Sequence, residues 1–465
     1  MNIYSNFPLG ERSIKEFARV LLPELQDKDV YGEFSQTAEE ITLKLRIDGV
    51  EKKFIYQNLE SKIDDVKIII FKTALLKFCE KTLPWGGLIG VRPTKVVKRL
   101  RSVGYQYSEI SDILQKVYLV TLEKAELLIK IYQKELELMN SEATSIYIGI
   151  PFCPTKCRYC SFASYEIGGP VGERYYAGFV DTLLKEIELT GKLVKDKNMR
   201  IESIYIGGGT PSTLREKDLE RVLQAVNTHI DRTHLREYTF EAGREDSITE
   251  EKLEIAKKYG IDRMSLNPQT FNEGTLEKIN RKMDLENFDR CYHKMKELGF
   301  IINMDIILGL PGESDREIVE TLNMIERYDI ENLTVHSLAL KKASVLFKDE
   351  NTEVNSISRE TVEERVNQLL ERRGMHPYYI YRQKNSADWG ENVGFAKTGY
   401  ESLFNMEMIE ENQNTIGIGG GAISKRISRD HESRDEIERL VNPKDPATYI
   451  REMEERFHEK VKLFS

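Results

Sequence analysis

What is scarce in this chain narrows it first. Of 465 residues only five are cysteine, an odd number, and three of them fall within eight residues. That arrangement excludes the disulfide framework of a small secreted domain. It points instead to a metal or reactive-thiol site in a reducing compartment, hence to the cytoplasm. Positive charge is also lacking: the formal net charge is −9, which leaves no basic footprint for nucleic acid or for an anionic membrane. The most apolar short stretch, Ile68 to Phe71, is far too brief to span a bilayer, so no stable membrane insertion is expected. Met1 to Phe17 carries Glu11, Arg12 and Lys15 without an apolar h-region, so no secretory signal is expected. Internal repeats beyond a strand–helix period are missing, as are low-complexity tracts. What remains is an ordinary globular balance, 40% hydrophobic and 31% charged, long enough for two or three domains.

Three regions separate by pattern. Residues 1–140 mix strand and helix as an α+β domain. Ile41, Leu43, Leu45 and Ile47 alternate up to Asp48-Gly49, and Phe54 and Tyr56 alternate after it, which reads as a β-hairpin. Residues 62–82 and 121–139 read as helices. Between them, 83–94 is too rich in Gly and Pro for a regular element. From 141 to 340, strands near 145–150, 202–206, 237–242, 262–267, 301–307 and 332–338 alternate with helices at 174–194, 216–229, 250–259, 284–298 and 315–328. Such alternation makes βαβ units, right-handed crossovers and a parallel sheet. Six units without a clear switch point predict an α/β fold, a partial (β/α)6 barrel. Residues 341–465 read as a mixed, helical extension, with a helix near 359–373, an irregular aromatic stretch at 376–400 and a charged helical tail.

The first barrel strand runs straight into Cys153, Cys157 and Cys160, spaced Cys-x3-Cys-x2-Cys. Three thiolates this close on one loop suit three irons of a 4Fe–4S cube and leave the fourth iron open to a small molecule. A structural zinc site needs four ligands. Cys79 and Cys291 are remote, and the nearest histidine in sequence is His229. The loop also sits at the C-terminal end of a barrel strand, where barrel active sites lie.

The next strand ends in Gly207-Gly208-Gly209-Thr210-Pro211, which is either a tight strand-to-helix turn or a backbone cradle for a ligand. Strands buried on both faces should be continuous apolar runs. Here Glu237, Thr239 and Glu241 share one face, as do Arg263, Ser265 and Asn267, then Asn303 and Asp305, then Thr334 and His336. If the apolar faces pack on the helices, these polar faces line either a ligand chamber or a set of satisfied structural networks. Arg281 offers a guanidinium fork for a carboxylate, or is a solvated helix-end residue, and Arg244 is a weaker candidate of the same kind. Arg92 and the Trp389–Phe395 stretch read as structural turns before they read as substrate or interdomain contacts. Lys95, Lys98, Arg99 and Arg101 read as a solvated basic helix face, and Gly417–Gly421 as a glycine turn beside the barrel mouth.

Cys-x3-Cys-x2-Cys with an aromatic before the last Cys resembles the signature of radical S-adenosylmethionine enzymes. The longer run from Tyr147 to Cys153, YIGIPFC, is similar to the oxygen-independent coproporphyrinogen III dehydrogenase family. The texts LPWGGLIGVRPTK (83–95) and PYYIYRQKN (377–385) resemble its HemZ branch. The resemblance implies a 4Fe–4S cluster on Cys153, Cys157 and Cys160. It implies that the Gly207–Gly208–Gly209–Thr210 element holds the methionine amino group of S-adenosylmethionine, Glu241 and Gln269 the ribose, and Arg281 the methionine carboxylate. Asp305, Tyr147 and Tyr159 match further cofactor contacts, and Tyr147 and Glu241 are the catalytic candidates.

In the family a 5′-deoxyadenosyl radical takes hydrogen from a propionate side chain. Carbon dioxide and one electron are then lost, giving a vinyl group. Two rounds convert coproporphyrinogen III to protoporphyrinogen IX. The partners implied are a tetrapyrrole or haem and an electron donor such as flavodoxin or ferredoxin. Two positions depart from the family's best-studied branch, which has His where this chain has Gly149 and a further Cys where it has Phe162. Related branches carry haem on the same scaffold, without a visible His-Asn-x-x-Tyr-Trp counterpart here, or perform other radical tetrapyrrole chemistry such as haem methylation with ring opening.

Overall fold

The computed structural model describes residues 1–59, 66–88, 90–162, 164–341, 343–349, 358–383, 390–429 and 435–465. It divides into two compact units, residues 1–137 with 380–384, and the remainder.

In the first unit the alternation of residues 41–56 does form a hairpin, β3 and β4, at one edge of a four-stranded sheet. The elements are β1 (Asn2–Ser5), α1 (Glu11–Leu21), β2 (Asp29–Gln36), β3 (Glu40–Ile47) and β4 (Val50–Gln57). They are followed by α2 (Val66–Phe78), α3 (Thr94–Ser102), α4 (Tyr107–Lys116) and α5 (Leu122–Leu138). The strands lie in the order β1-β2-β3-β4, with β1 parallel to β2 and the rest antiparallel. Period two puts Val30, Phe34, Leu43 and Leu45 on the buried face, where the Phe34 ring lies 6.4 Å from that of Phe71 in α2. In this unit Arg382 stacks on Trp85 at 4.8 Å and donates to the Leu88 carbonyl, which gives the Gly- and Pro-rich run a structural role. In the basic face, Arg99 donates to the Tyr118 hydroxyl at 3.2 Å and Arg101 to the Tyr105 carbonyl at 2.6 Å.

The second unit runs β5 (Thr144–Ile150), β6 (Phe152–Cys153), β7 (Tyr165–Glu166), α6 (Pro170–Asp196), β8 (Ile201–Gly208), α7 (Glu216–His229) and β9 (Glu237–Gly243). It continues through α8 (Glu250–Lys258), β10 (Arg263–Leu266), α9 (Glu273–Lys278), α10 (Leu285–Glu297), β11 (Ile301–Leu308), α11 (Asp315–Ile325) and β12 (Asn332–Ser337). Local chemistry starts several of these helices: Thr249 and Asp284 cap α8 and α10, and Ser314 with Glu317 forms a capping box on α11. Strands β5, β8, β9, β10, β11 and β12 are parallel neighbours, the partial barrel expected from sequence.

The remaining residues form the mixed, helical extension expected, with its helix at Arg359–Arg373 and its helical tail at Pro446–Leu463, and the structure differs in the stretch between them. After α12 (Val345–Lys348) and α13 (Arg359–Arg373), the aromatic stretch read as irregular forms β13 (Met375–Arg382) and β14 (Glu391–Lys397). Then follow α14 (Leu403–Glu410), β15 (Asn414–Gly419), β16 (Ile423–Arg429), β17 (Asp435–Val441) and α15 (Pro446–Leu463). All five strands join the barrel sheet, in the order β13-β14-β12-β11-β10-β9-β8-β5-β15-β16-β17. Strand β14 lies antiparallel to β12, and β15 adds a seventh parallel strand beside β5. Gly417–Gly419, read as a turn, therefore lie in a strand, and the turn follows at Gly420–Gly421. Residues 384–389, including Trp389, lie outside the described residues. Among the described residues no helix is long and apolar enough to cross a membrane.

Candidate functional site

Strand β5 delivers the cysteine loop at the carboxyl end of the parallel sheet, and backbone hydrogen bonds hold the loop from several sides. Tyr165 N–H donates to the Pro151 carbonyl and Ile167 N–H to that of Cys153, both at 2.9 Å, and Arg158 N–H reaches the Ile279 carbonyl at 2.9 Å. The Asn280 side chain donates to the Lys156 carbonyl at 3.0 Å. Cys153 and Cys157 are buried, and Cys160 is more open. Burial pushes the Cys160 thiol up to about 11 and raises that of Cys153, although Ser164 and Thr210 hydrogen-bond the latter. Such thiols become thiolates only when a metal replaces the protons. Among the described residues no three His, Cys, Asp or Glu side chains gather tightly enough to share one ion. A cube asks for something different, one thiolate on each of three irons.

The Gly207–Thr210 element packs directly on this loop. Gly209 N–H donates to Ile150 O at 2.8 Å and Thr210 N–H to Phe152 O at 2.7 Å. A Cβ on Gly209 would sit 2.5 Å from Phe152 O and 2.9 Å from the Cys153 sulfur, and Gly208 has φ +118°. These glycines exist because no side chain fits between the two loops. Gly149 has a similar reason. Its Cβ would lie 2.6 Å from the Gly420 carbonyl, so a histidine at 149 has no room beside the Gly419–Gly421 turn.

The polar strand faces form two tiers with different roles. At the amino end of the strands Glu237 accepts from Ser402 Oγ at 2.9 Å and Leu403 N–H at 2.6 Å. Arg263 donates to Asn332 Oδ1, to Tyr400 O at 2.8 Å and to Glu401 O at 3.2 Å. This tier is bonded mostly within the protein and closed by the segment before α14, with Arg263 Nε alone of that guanidinium left without a hydrogen-bond partner, so for Glu237 and Arg263 the structural reading accounts for most of their polar atoms. Above it Tyr147, Tyr205 and Phe404 stack, with ring centroids 4.5 to 6.1 Å apart.

Above the rings β8 presents Gly207, which leaves room for Glu241. A Cβ on Gly207 would lie 2.6 Å from its Oε2. Burial first, then the nearby charge of Asp305, push the Glu241 carboxyl up to about 8, against hydrogen bonds from Gly208 N–H and the Tyr205 hydroxyl. Burial opposes ionisation of Asp305 too. There the His336 ring, 3.9 Å away, together with Asn303 and Thr334, outweighs it and holds the carboxyl below its usual value. His336 Nδ1 in turn lies 3.2 Å from Asn392 Oδ1. One carboxyl thus keeps its proton while its neighbour loses it. The folded, cofactor-free protein holds the Glu241 proton up to about 8 whereas the unfolded chain releases it near 4.5, so stability should fall as pH rises between those values. Urea midpoints measured across that window should decline, and Glu241→Gln should flatten the decline. An unchanged slope in the variant would count against this assignment.

Arg281 is buried on the other side of the loop. It donates to Asn267 O and, at 3.4 Å, to Gly243 O, and its Nε–H has no hydrogen-bond partner. Gln269 holds a positive φ of 65° because its backbone bridges to β11, with its N–H on Asp305 O at 2.9 Å. Its buried Oε1 is likewise unpartnered. Tyr159 packs against the apolar cluster of Leu276, Ile279, Leu310 and Leu338. An unsatisfied guanidinium donor, an unsatisfied amide oxygen and a glycine cradle beside three thiols fit a cluster-bound cofactor with carboxylate and hydroxyl groups. Tyr159, Gly207, Gly208, Gly209, Thr210, Glu241 and Gln269 stand near the carboxyl ends of the strands or on the loops that follow them, Tyr147 and Asp305 lie within β5 and β11, and Arg281 lies in the segment between α9 and α10. Arg244 differs from the expectation, because its donors are already occupied within the protein. Sequence reasoning missed Tyr205, although it shares register with Tyr147, and Phe404, which no local pattern marks.

Residues 147–325 match the family described as the Radical SAM superfamily. The chain is 36% identical over 448 residues, 92% of its length, to the oxygen-independent coproporphyrinogen-III oxidase-like protein HemZ of Bacillus subtilis (strain 168), covering 88% of that protein. It is 29% identical to the heme chaperone HemW of the same organism, over 60% of this chain and 70% of that one. Among solved structures, coproporphyrinogen III oxidase (HemN) from Escherichia coli, a radical SAM enzyme, superposes with a TM-score of 0.52 at 19% identity, over 70% of this chain and 73% of that one.

Proposed function

Because the chain belongs to the radical S-adenosylmethionine superfamily, in its oxygen-independent coproporphyrinogen oxidase-like family, we propose that it oxidatively decarboxylates propionates of coproporphyrinogen III. It works with a 4Fe–4S cluster and S-adenosylmethionine. The observation that carries the substrate is the likeness to HemZ over nearly the whole of both chains, whereas the likeness to the heme chaperone spans 60% of this one. Fold likeness by itself would not carry it.

In this reading Cys153, Cys157 and Cys160 would hold the cluster. Arg281 would receive the cofactor's carboxylate on its Nε–H, Gln269 and Glu241 would take ribose hydroxyls, and the Gly207–Thr210 backbone would take the amino group. Tyr147 and Tyr159 wall the site, and Asp305 is kept charged by His336. Bound together, the two cofactors supply a radical able to remove hydrogen from an unactivated carbon. The protein's part is to orient and to exclude water, and the stacked Tyr147–Tyr205–Phe404 floor closes the barrel below the reacting groups. Each propionate loses one hydrogen atom, carbon dioxide and one electron, and becomes a vinyl group. Two such rounds give protoporphyrinogen IX. A flavodoxin- or ferredoxin-class donor in the cytoplasm supplies the reducing electron.

Reconstituted protein incubated without oxygen with S-adenosylmethionine, dithionite, an electron acceptor and coproporphyrinogen III is expected to release carbon dioxide and form protoporphyrin product. Stable haem binding with no turnover would replace this reading with haem delivery. Haem-dependent cofactor consumption would replace it with other radical tetrapyrrole chemistry.

A further inference from the structure

Two buried guanidinium groups reach the Cys157 thiol, and they use their donors differently. Arg281 interacts with that sulfur and keeps its Nε–H unpartnered. Arg244 keeps no nitrogen idle. Its Nε donates to Asp246 Oδ1 at 3.0 Å and its Nη2 to Oδ2 of the same carboxylate. Its Nη1 donates to Thr155 Oγ1 at 2.9 Å and Thr155 O at 3.3 Å, and lies 4.0 Å from the Cys157 sulfur. A group so engaged offers nothing to a ligand carboxylate, but it stands where the cysteine loop turns.

The turn that carries Arg244 is itself braced. Gly243, at φ +75°, reverses the chain after β9. Ser247 donates to Arg244 O at 3.1 Å and shares a hydrogen bond with Ser212 at 2.5 Å. Lys252 Nζ donates to both Ser212 O and Ser247 O, at 2.8 and 2.9 Å. Arg244 is a rigid arm rather than a mobile surface side chain.

We propose that Arg244 is a positioning residue for the cluster, fixing Thr155 at the middle of the cysteine loop and holding a positive charge against Cys157 that raises the cluster's reduction potential. This rests on Cys153, Cys157 and Cys160 holding the cluster. A reduced cluster carries one more negative charge than an oxidised one, so a nearby cation or N–H donor favours reduction. The side chain of Arg244 is 5% exposed and its charge is poorly screened. The side chain of Asp246 is 35% exposed, so water weakens its opposing charge. The pair therefore presents its positive end to the sulfur.

The test is an EPR-monitored redox titration of anaerobically reconstituted wild type, Arg244→Met, Arg244→Lys and Asp246→Asn, without S-adenosylmethionine and with iron and sulfide measured on each. Arg244→Met should disfavour one-electron reduction about tenfold, a shift of about 59 mV toward lower potential. Arg244→Lys should fall between it and wild type, and Asp246→Asn should shift the other way because it leaves the cation unopposed. A role confined to bracing the loop would move the Met and Asn variants in the same direction, so that result overturns the proposal, as do equal potentials in all four proteins. Should the Met variant not retain four irons, the Lys and Asn variants carry the comparison by the same criterion. A wild type that binds no iron and sulfide would instead overturn the cluster assignment beneath it.

Discussion

Cys157→Ala is expected to leave the reconstituted protein without a stable 4Fe–4S cluster and to drop reductive cleavage of S-adenosylmethionine to the level of protein given no iron. Cys157 is the sharpest of the three thiols to change because so much converges on it. It is buried, the Cys160 N–H donates to its carbonyl at 3.1 Å, and Arg244 and Arg281 both reach its sulfur. A methyl group there removes a ligand to one iron and also leaves two buried guanidinium groups facing an apolar atom. Changes outside the ligand sphere cost roughly 10–100-fold in metal affinity or activity, so losing a ligand should exceed about 100-fold. Iron and sulfide analysis, charge-transfer absorbance and product chromatography measure the two losses separately. Cys79→Ala, in the other unit, should retain both iron and activity. A Cys157 variant with full iron and normal cleavage would remove the cluster from this loop.

Much of the barrel was legible because its strands carry two signals at once. Inward residues such as Thr239, Ser265, Asn303 and Thr334 are polar while outward ones are apolar, so a parallel sheet that normally reads as a featureless apolar run here shows period two. The cysteines were legible because ligand spacing on a loop survives without tertiary knowledge. The C-terminal strands were not. In β13 and β14 most residues are buried on both faces, which erases alternation. Strand β15 reads Asn-Thr-Ile-Gly-Ile-Gly, and glycine suggested a turn. The glycine at 417 is there because a Cβ would meet the Ile423 backbone at 2.7 Å, a close approach between strands that sequence cannot display. The same limit hid how Arg244 and Arg263 are used. An arginine on a polar strand face or just past a strand end looks the same whether it waits for a ligand or is already bonded to Asn332 or Asp246.

Lys460→Ala is expected to destabilise the barrel unit by about 3–5 kcal/mol, although it lies in the C-terminal helix. Lys460 and Glu186 are both fully buried and pair at 2.6 Å. Lys460 also donates to Gly417 O at 2.5 Å. Glu186 accepts in addition from Gly419 N–H at 2.7 Å, the Tyr449 hydroxyl at 2.6 Å and Asn442 Nδ2 at 3.0 Å. These bonds tie α6 and α15 to β15, the strand beside β5. Removing the ammonium would leave a buried carboxylate whose remaining neutral donors cannot balance its charge. Urea denaturation of the whole chain should show the lower midpoint.

The loss should reach the site as well. The Gly419–Gly421 turn lies against Gly149 and Pro151, with Gly420 N–H on Gly149 O at 3.0 Å, and those residues lead directly into the cysteine loop. Lys460→Ala should therefore retain less iron after reconstitution than wild type at a temperature where both remain folded. The double variant Glu186→Leu with Lys460→Met, which removes both charges and keeps most of the volume, should recover a large part of the stability. It should recover less of the iron, because the carboxylate that fixed the Gly419 amide is gone. Equal recovery of both would mean that the ion pair supports the fold alone and that the cysteine loop does not depend on the turn behind it.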